Sequence, residues 1–345
     1  MIEPIPTMAW TGEGLRLLDQ RKLPEREEYL DCADVGSLAE AIRTLAVRGA
    51  PAIGLAAAYG AVLASMEAEQ GDGFQPAFQR GLDTLASTRP TAVNLFSCLA
   101  LQAELARGSR GGRELEEALL RNADRLFEED LQASRRMGAL GADLLGEAST
   151  VLTHCNAGGL ATSGLGTALA VVYEAADRGI LKMVYADETR PLLQGSRLTA
   201  WELTHAGIPV TVQPDSAAAT ILRTGRIDAV FVGADRIAAN GDVANKIGTY
   251  PLALAAREAG VPFYVVAPVT TLDPNTAHGG DIRIEQRGSD ELEEFGGRRI
   301  APDTASFYNP AFDVTPWNLV RAIVTDKGLL KGSERGLLSV DSDEI

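Results

Sequence analysis

The pattern of apolar and polar positions changes its period near residue 146. Upstream, apolar residues recur at the spacing of amphipathic helices, most clearly over residues 37–45, 52–66 and 114–145. Residues 8–24 differ, because two short apolar runs flank a Thr-Gly-Glu-Gly turn and predict a β-hairpin. The N-terminal part is therefore predicted to be a mainly helical domain that begins with a short hairpin.

Two corners between the predicted helices carry arginines. Ser37 and Glu40 have the spacing of a capping box, which predicts that a helix begins at Ser37. At the next break, Arg48 is followed by amides at the start of a helix, and such amides help to hold an anion. Arg89 lies before a proline at the second corner. A solvated surface arginine is the alternative interpretation of each.

Downstream of residue 146, short apolar runs bounded by turn residues alternate with helical segments. This alternation is typical of a parallel sheet covered by helices. Strands are predicted at residues 149–155, 181–186, 209–213, 229–232 and 262–267. The predicted fold class is α/β, with a mainly helical domain over residues 1–130 and a Rossmann-like, doubly wound parallel-sheet domain over residues 131–345.

Near the C-terminus, the sequence predicts one more strand, a helix and a polar tail. Ile282–Gln286 is predicted to be one more strand. Thr315 and Pro316 have the N-cap and first-turn positions of a helix that would run to Thr325. The residues from Lys331 onward are predicted to be a polar tail.

Composition restricts the classes of partner. The 345 residues carry a formal net charge of −15, which repels nucleic acid and anionic membranes, so an anionic ligand would need a local basic pocket. The first residues lack the basic flank and apolar core of a signal peptide, and no run approaches the roughly 20 apolar residues of a membrane span. We therefore predict a cytoplasmic protein without nucleic-acid or membrane partners.

The cysteines and histidines indicate neither a disulfide framework nor a metal centre. Cys32, Cys98 and Cys155 are odd in number and lack CxxC spacing, and only three histidines are present. We predict no metal and no cofactor. The glycine-rich turn after Cys155 does not fit the GxGxxG dinucleotide fingerprint, which disfavours NAD.

Polar groups follow three of the predicted strands. Cys155 ends the first, a cluster from Asp187 to Arg197 follows the second, and Asp235 follows the apolar run Ala229–Val232. Parallel connectivity places these ends on one edge of the sheet, where open α/β sheets bind ligands. A buried structural cysteine and a turn-capping or ion-paired aspartate remain the alternative interpretations.

Asp235 would emerge directly from an apolar strand. Partial desolvation there favours the neutral acid, so Asp235 is a candidate proton donor. Backbone amides after Cys155 would favour its thiolate and also suit phosphate oxygens. With Arg48, Arg89 and Lys246 added, the set suits a compact phosphorylated metabolite.

The same segments resemble a known family. The stretches that carry the resemblance run in order from about residue 40 to 328 and comprise residues 48–54, 89–95, 153–162, 187–202, 233–250 and 309–316. They are similar to those of the S-methyl-5-thioribose-1-phosphate isomerases of methionine salvage. The superfamily also contains ribose-1,5-bisphosphate isomerases and regulatory subunits of an initiation-factor nucleotide exchanger. Those subunits share the fold without the isomerase activity.

The resemblance implies an aldose–ketose isomerase that converts S-methyl-5-thio-α-D-ribose 1-phosphate to S-methyl-5-thio-D-ribulose 1-phosphate. It implies a homodimer and assigns Cys155 and Asp235 as catalytic. The substrate ligands that it implies are Arg48, Gly49, Ala50, Arg89, Gln194, Asn245 and Lys246.

Three alternatives stay open from the sequence. The substrate could be a related sugar 1-phosphate, such as 5-deoxyribose 1-phosphate or ribose 1,5-bisphosphate. The chain could instead be a non-catalytic regulatory subunit of a nucleotide exchange factor. For the isomerase itself, proton transfer through Cys155 and a direct hydride shift from C2 to C1 both satisfy the chemistry.

Overall fold

The computed structural model describes residues 2–89 and 92–341. Pro90 and Thr91, within the predicted Arg89 corner, lie outside the described residues, as do Met1 and residues 342–345 at the end of the predicted tail. The chain divides into two compact units. The first is Met1–Arg136 with Ala157–Ala170, and the second is Met137–Asn156 with Val171–Ile345.

The first unit begins with a three-stranded antiparallel sheet and continues as helices. Its strands pair in the order β1-β2-β3. The elements are β1 Met8–Trp10, β2 Leu15–Leu18, β3 Tyr29–Cys32, α1 Val35–Arg43, α2 Ala50–Glu67, α3 Phe74–Ala86, α4 Val93–Ala106 and α5 Arg113–Ala142, the last of which continues into the second unit.

Helix α2 lies at the centre of the first unit's core. It packs against α3 and α4, and most of its residues are buried because alanine and leucine occupy all of its faces. Gly54 permits the approach of α4, since a Cβ there would lie 2.9 Å from the carbonyl oxygen of Asn94. Among the described residues α2 is also the one helix long and apolar enough to cross a membrane, but 78% of that stretch is buried within the protein. A buried core helix accounts for this composition.

The N-terminus of α1 corrects a prediction. The helix begins at Val35, two residues before the predicted Ser37, and its N-cap is Asp34. The Asp34 carboxylate accepts a 2.6 Å hydrogen bond from the Ser37 amide, while the Ser37 hydroxyl accepts one from the Asp34 amide. Ser37 is thus the third helical residue of a capping box rather than its first member.

The second unit alternates strands and helices. Its elements are β4 Ser149–Thr153, α6 Ala168–Asp177 (which begins in the first unit), β5 Leu181–Asp187, α7 Ala200–His205, β6 Val210–Gln213, α8 Ala218–Leu222, β7 Ala229–Val232, β8 Arg236–Ala238, β9 Val243–Lys246, α9 Thr249–Glu258, β10 Phe263–Val266, β11 Leu272–Asp273, α10 Asp290–Glu293, β12 Glu294–Phe295, β13 Arg298–Arg299, β14 Phe312–Thr315, β15 Ala322–Thr325, β16 Gly328–Lys331 and β17 Leu338–Val340.

The main sheet has eight strands in the order β17-β16-β15-β10-β7-β4-β5-β6. From β15 to β6 every neighbouring pair is parallel. Numbered along the chain, these six strands have the order 3-2-1-4-5-6 of a doubly wound sheet. The predicted fold class is confirmed. The order reverses between β4 and β7, which pair directly, and in such sheets ligands bind beyond the carboxyl ends of the strands at this point.

A separate, smaller sheet begins with the segment that follows β7 in the chain. Its order is β11-β8-β9-β14, with β8 and β9 forming an antiparallel hairpin. β14 pairs antiparallel with β9, so that Asp313 lies opposite Asn245. This sheet places a segment from near the end of the chain beside the residues that follow Asp235.

Three predictions for the C-terminal region were wrong. The predicted helix from Thr315 to Thr325 is a short 3-10 turn, Trp317–Leu319, followed by strand β15. Pro316 has an extended ψ of 142°, and the β-branched residues Ile323 and Val324 are fully buried between strands.

Two further segments differ from expectation. Residues 282–286 form no strand beyond an isolated bridge from Gln286 to Pro310. The predicted tail from Lys331 instead contributes the end of β16 and all of β17 to the main sheet.

Candidate active site

Cys155 and Asp235 leave neighbouring strands at the point where the strand order reverses. β4 ends at Thr153 and β7 ends at Val232, and the two strands pair through Val151 with Ala229 and Leu152 with Val230. Each residue follows its strand by two or three positions. The sheet therefore brings the two predicted catalytic residues to the same edge.

Cys155 has an uncommon backbone conformation. Its φ is +63°, in the left-handed region that residues with side chains seldom adopt. Its amide donates a 2.8 Å hydrogen bond to the Thr189 hydroxyl, and its carbonyl oxygen accepts a 2.7 Å bond from the Thr199 hydroxyl. The half-buried cysteine is thus held on both sides by residues that follow β5.

His154, directly before Cys155, has another role. Its Nδ1 lies 3.1 Å from Asp187 Oδ2, and its Nε2 lies 2.8 Å from the carbonyl oxygen of Ile247. Burial lowers the pKa of His154, but the hydrogen bond and charge of Asp187 outweigh it, so the pKa is raised above its ordinary value. Burial raises the pKa of Asp187, and the contact with His154 offsets only part of that rise. Both ring nitrogens are engaged, so His154 joins the ends of β4, β5 and β9.

The group formed by the buried His154 and Asp187 with the half-buried Asp215 has the composition of a metal site, with ligand atoms within 4.8 Å of one another. Each of these atoms already has a protein partner. His154 and Asp187 bind each other, Gln213 donates to the second Asp187 oxygen, and Asp215 accepts the amides of Thr189 and Arg190. Internal hydrogen bonds therefore account for this group.

Asp235 begins the β8–β9 hairpin. Its amide donates a 2.9 Å hydrogen bond to the carbonyl oxygen of Ala244, which extends the β8–β9 ladder by one bond. Asn245 and Lys246 end the returning strand. The Asn245 side chain donates to the Thr249 hydroxyl at 3.0 Å, and Thr249 donates to the Lys246 carbonyl oxygen at 2.7 Å. The Lys246 ammonium lies 4.9 Å from the centre of the Phe312 ring.

Asp313 is a functional candidate that sequence reasoning did not assign. Its carboxylate accepts the amides of Gly248 at 2.8 Å and Tyr250 at 3.0 Å, at the start of α9. Burial raises the pKa of Asp313 to about 6, against the lowering effect of these amides, His154 and Lys246. The sequence could have indicated Asp313 only through its place in the segment 309–316, which resembles the family. Its position near the site follows from its pairing opposite Asn245.

Gln194 lies in the loop after β5, before a turn of π-helix over Gly195–Thr199. The side chain is buried, and within residues 2–89 and 92–341 its Oε1 has no hydrogen-bond partner. Gly195 is required by close packing, because a Cβ there would overlap the carbonyl oxygen of Asp187. A buried amide oxygen without a partner is a position at which a ligand hydroxyl would bind.

The remaining predicted site residues belong to the first unit. Gly49 is the N-cap of α2 with a φ of +90°, Ala50 is its first helical residue, and Arg48 immediately precedes them. A Cβ on Gly49 would lie 2.5 Å from that of Ala161, so this corner needs glycine. Arg89 lies between α3 and α4, and its carbonyl oxygen accepts the Ala92 amide. Arg48 and Arg89 are both half-buried.

The chain is similar to a known family over most of its length. The model of the initiation factor 2 subunit family matches residues 46–332. The chain belongs to this family. It is 52% identical over 333 residues to methylthioribose-1-phosphate isomerase from Pelotomaculum thermopropionicum, covering 95% of this chain and 91% of that one. It is 51% identical over 339 residues to the isomerase from Thioalkalivibrio sulfidiphilus, covering 98% and 97%. Within the family it therefore groups with the methylthioribose-1-phosphate isomerases.

Two solved structures share the fold closely. The 5-methylthioribose 1-phosphate isomerase of Pyrococcus horikoshii OT3 is 44% identical with a TM-score of 0.88, over 94% of this chain and 92% of that one. A structure from A. fulgidus described as translation initiation factor eIF-2B, subunit delta, is 46% identical with a TM-score of 0.85, over 94% and 95%. Both of the functions weighed from the sequence are thus represented among similar structures.

Proposed function

We propose that this protein is an aldose–ketose isomerase that converts S-methyl-5-thio-α-D-ribose 1-phosphate to S-methyl-5-thio-D-ribulose 1-phosphate. The observation that carries the proposal is the position of Cys155 and Asp235 just beyond the carboxyl ends of paired strands, where the sheet order reverses. Relatives that carry the isomerase name match nearly the whole chain and support the same reaction.

The substrate's chemistry explains the need for an acid and a base. The phosphate on C1 prevents spontaneous opening of the sugar ring, so the bond from C1 to the ring oxygen must be broken on the enzyme. We propose that Asp235 donates its proton to the departing ring oxygen. Carboxylic acids in partly desolvated sites perform such general-acid steps.

The remaining atoms move within the substrate. In the proton-transfer route, the Cys155 thiolate removes the C2 proton and a phosphoenol forms. The thiol then returns this proton to C1, while the C2 hydroxyl proton passes to the Asp235 carboxylate and C2 becomes a ketone. C1 is reduced as C2 is oxidised, so the reaction balances without an external oxidant, and both side chains regain their starting states.

A direct hydride shift from C2 to C1 balances equally well, with Asp235 taking the C2 hydroxyl proton. Reaction in deuterium oxide separates the two routes. Deuterium at C1 of the product supports transfer through Cys155, and product without deuterium supports the hydride shift or a shielded proton. Turnover after Cys155→Ser separates these last two, because only the hydride shift survives loss of the thiol.

Substrate binding is proposed for the residues that the family resemblance implies, which are Arg48, Gly49, Ala50, Arg89, Gln194, Asn245 and Lys246. Positive side chains and helix-start amides suit a phosphate dianion. The buried Oε1 of Gln194, which has no hydrogen-bond partner among the residues that the structure describes, suits a sugar hydroxyl. In a chain of net charge −15, such local groups supply the attraction that the overall field does not.

The experiment that tests the reaction is steady-state turnover of the purified protein, with product identified by NMR. We expect efficient conversion of the methylthio sugar 1-phosphate. Ribose 1,5-bisphosphate and 5-deoxyribose 1-phosphate serve as competing substrates, since a second phosphate needs extra cations and a methylthio group needs an apolar wall. Faster turnover of either competitor would replace the proposed substrate.

The regulatory-subunit function has one observation in its favour, the 46% identity to the A. fulgidus structure described as an eIF-2B subunit. It predicts that the folded protein shows no turnover and that partner chains copurify with it. The isomerase proposal predicts turnover by the chain alone.

We also propose a cytoplasmic homodimer without nucleic-acid or membrane partners. The net charge of −15 supports the last two points. Light scattering of the purified protein tests the dimer, and a mass of one chain, 36.5 kDa, would reject it.

A further inference from the structure

We propose that Thr189 and Thr199 are positioning residues that hold the Cys155 thiol in its reactive orientation by fixing the cysteine backbone from both sides. The inference rests on the catalytic role proposed for Cys155. It adds two residues whose proposed role acts through the backbone of the cysteine.

The backbone of Cys155 needs such support. A residue with a Cβ in the left-handed region crowds the following carbonyl, so its φ of +63° persists only where neighbouring groups determine it. The amide and the carbonyl of Cys155 each bind a different threonine hydroxyl, at 2.8 Å and 2.7 Å. Since φ sets the direction of the Cα–Cβ bond relative to the chain, these two bonds fix where Cβ lies and restrict the thiol to the rotamers about that bond.

Thr189 is itself rigidly held. Its hydroxyl donates to the Asp187 carbonyl oxygen at 3.0 Å, so its lone pairs are left to accept the Cys155 amide. Its own amide donates to Asp215 Oδ1 at 2.7 Å, and its φ is +66°. The side chain is fully buried. The direction of the hydroxyl is therefore set by the end of β5 rather than by solvent.

Thr199 is anchored by a buried polar network. Its hydroxyl proton goes to the Cys155 carbonyl, and its oxygen accepts the Asn156 side-chain amide at 3.1 Å. Asn156 also donates to Glu202 at 2.9 Å, and the second Glu202 oxygen accepts the Tyr173 hydroxyl at 2.8 Å. Because every one of these buried groups has a partner, the network favours one arrangement.

Thr153 provides a matched control. It lies two residues before Cys155 on the same segment and is as buried as the two positioning threonines. In the described parts of the chain its Oγ1 has no hydrogen-bond partner. Replacing its hydroxyl with a methyl group removes no hydrogen bond to Cys155.

The test compares Thr189→Val, Thr199→Val and Thr153→Val. Two quantities are measured: the rate at which iodoacetamide alkylates Cys155 as a function of pH, located by mass spectrometry, and kcat and KM for the methylthio sugar 1-phosphate. We expect the first two variants to lower kcat by about 10- to 100-fold with KM changed less than about threefold, since small misplacements of a reacting group have effects of this size. Their alkylation profiles should shift, and Thr153→Val should change neither quantity.

Thr189→Ser and Thr199→Ser keep the hydroxyl and should restore both the profile and kcat. Where a valine variant does not fold, the alanine variant replaces it. Loss of folding in both would overturn the positioning role in favour of a purely structural one. A folded Thr189→Val and Thr199→Val with the wild-type alkylation profile and kcat would also overturn it.

The alkylation profile keeps this inference separate from the proposed function. If the wild type does not convert the sugar phosphate, the isomerase proposal fails, yet the profile still reports whether the threonines control the thiol. If the wild type is active and the profiles are unchanged, only the positioning inference fails.

Discussion

Cys155 and Asp235 leave paired strands of one sheet, but the chain holds their backbones in different ways. The Cys155 backbone is bound by side-chain hydroxyls of Thr189 and Thr199. The Asp235 amide is bound by the backbone of Ala244, as one more bond of the β8–β9 ladder. One residue depends on side-chain identity at distant positions, and the other depends on an ordinary hairpin.

The difference has an energetic basis. A non-glycine residue in the left-handed region costs about 1–3 kcal/mol, and a buried hydrogen bond contributes about 1 kcal/mol. The stabilisation from two threonine bonds is therefore comparable to the backbone strain at Cys155. When one bond is lost, the remaining bond no longer offsets the strain. The hairpin at Asp235 carries no such strain. Loss of a threonine hydroxyl that binds the Cys155 backbone should thus alter the geometry of Cys155, whereas apolar substitutions within the β8–β9 hairpin should alter stability without altering the site.

The largest effect is expected at Asp235 itself. Asp235→Asn keeps the shape and the backbone bond but removes the acid, so we expect kcat to fall by about 10²- to 10⁴-fold, the usual contribution of general acid–base catalysis. The melting temperature should stay within about 2 °C of the wild type, because asparagine keeps the size of the side chain and the amide bond to Ala244. Steady-state kinetics and a thermal melt check both, and near-normal turnover would reject the acid role.

The next effect concerns the loop that supports Cys155. Gly195→Ala would place a Cβ against the Asp187 carbonyl oxygen, the group to which Thr189 donates. We expect a loss of about 1–3 kcal/mol in the free energy of unfolding from overpacking, together with a lower kcat. Gly146→Ala is the control, because no atom of the described residues other than its chain neighbours lies within 4 Å of an added Cβ. Equal stability of the two variants in urea titrations would contradict the close packing.

The stability of the protein should depend on pH through Asp313, which lies opposite Asn245 in the sheet that contains the β8–β9 hairpin. Its pKa in the folded state is about 6 and its ordinary value is 3.8, so between these pH values the folded state binds more protons than the unfolded state. Stability should therefore fall as the pH rises through this window, by up to about 3 kcal/mol from this group. Asp313→Asn should remove that part of the slope.

Urea unfolding of wild type and Asp313→Asn at several pH values from about 4 to 7 measures this difference. A free-energy gap between the two proteins that does not change with pH would show that Asp313 titrates at its ordinary value.

The smallest effect is expected within β8. Ile237→Val removes one buried methylene from a fully buried side chain and should cost about 0.5–1.5 kcal/mol of stability. We expect kcat to be unchanged, because backbone bonds set the hairpin that carries Asp235. A clear loss of kcat in this variant would erase the contrast between the two regions.

The two regions also differ in how much of their structure could be predicted from the sequence. The strand Ala229–Val232 was predicted with its observed bounds, because a short apolar run followed by Gly233 is a local signal. The conformation of Cys155 was not predictable, because its hydroxyl partners lie 34 and 44 residues away along the chain. The roles assigned to the site residues stay predictions.

The errors near the C-terminus have a related cause. The N-cap and proline signal at Thr315–Pro316 is local, whereas the pairing of β15 with β10 that makes this segment a strand is not. Asp313 was missed for the same reason, since only its pairing opposite Asn245 reveals it. Short-range patterns predicted elements of the parallel sheet, and long-range hydrogen bonds decided the geometry around the site.

The most direct test of the isomerase proposal is turnover of S-methyl-5-thio-α-D-ribose 1-phosphate by the wild type, Cys155→Ser and Asp235→Asn, assayed side by side after each is shown to be folded. The proposal predicts conversion to the ribulose 1-phosphate by the wild type and a severe loss in Asp235→Asn, while Cys155→Ser loses activity in the proton-transfer route and keeps it in the hydride shift. A folded wild type that leaves the substrate unchanged, or an Asp235→Asn variant that matches an active wild type, would contradict the proposal.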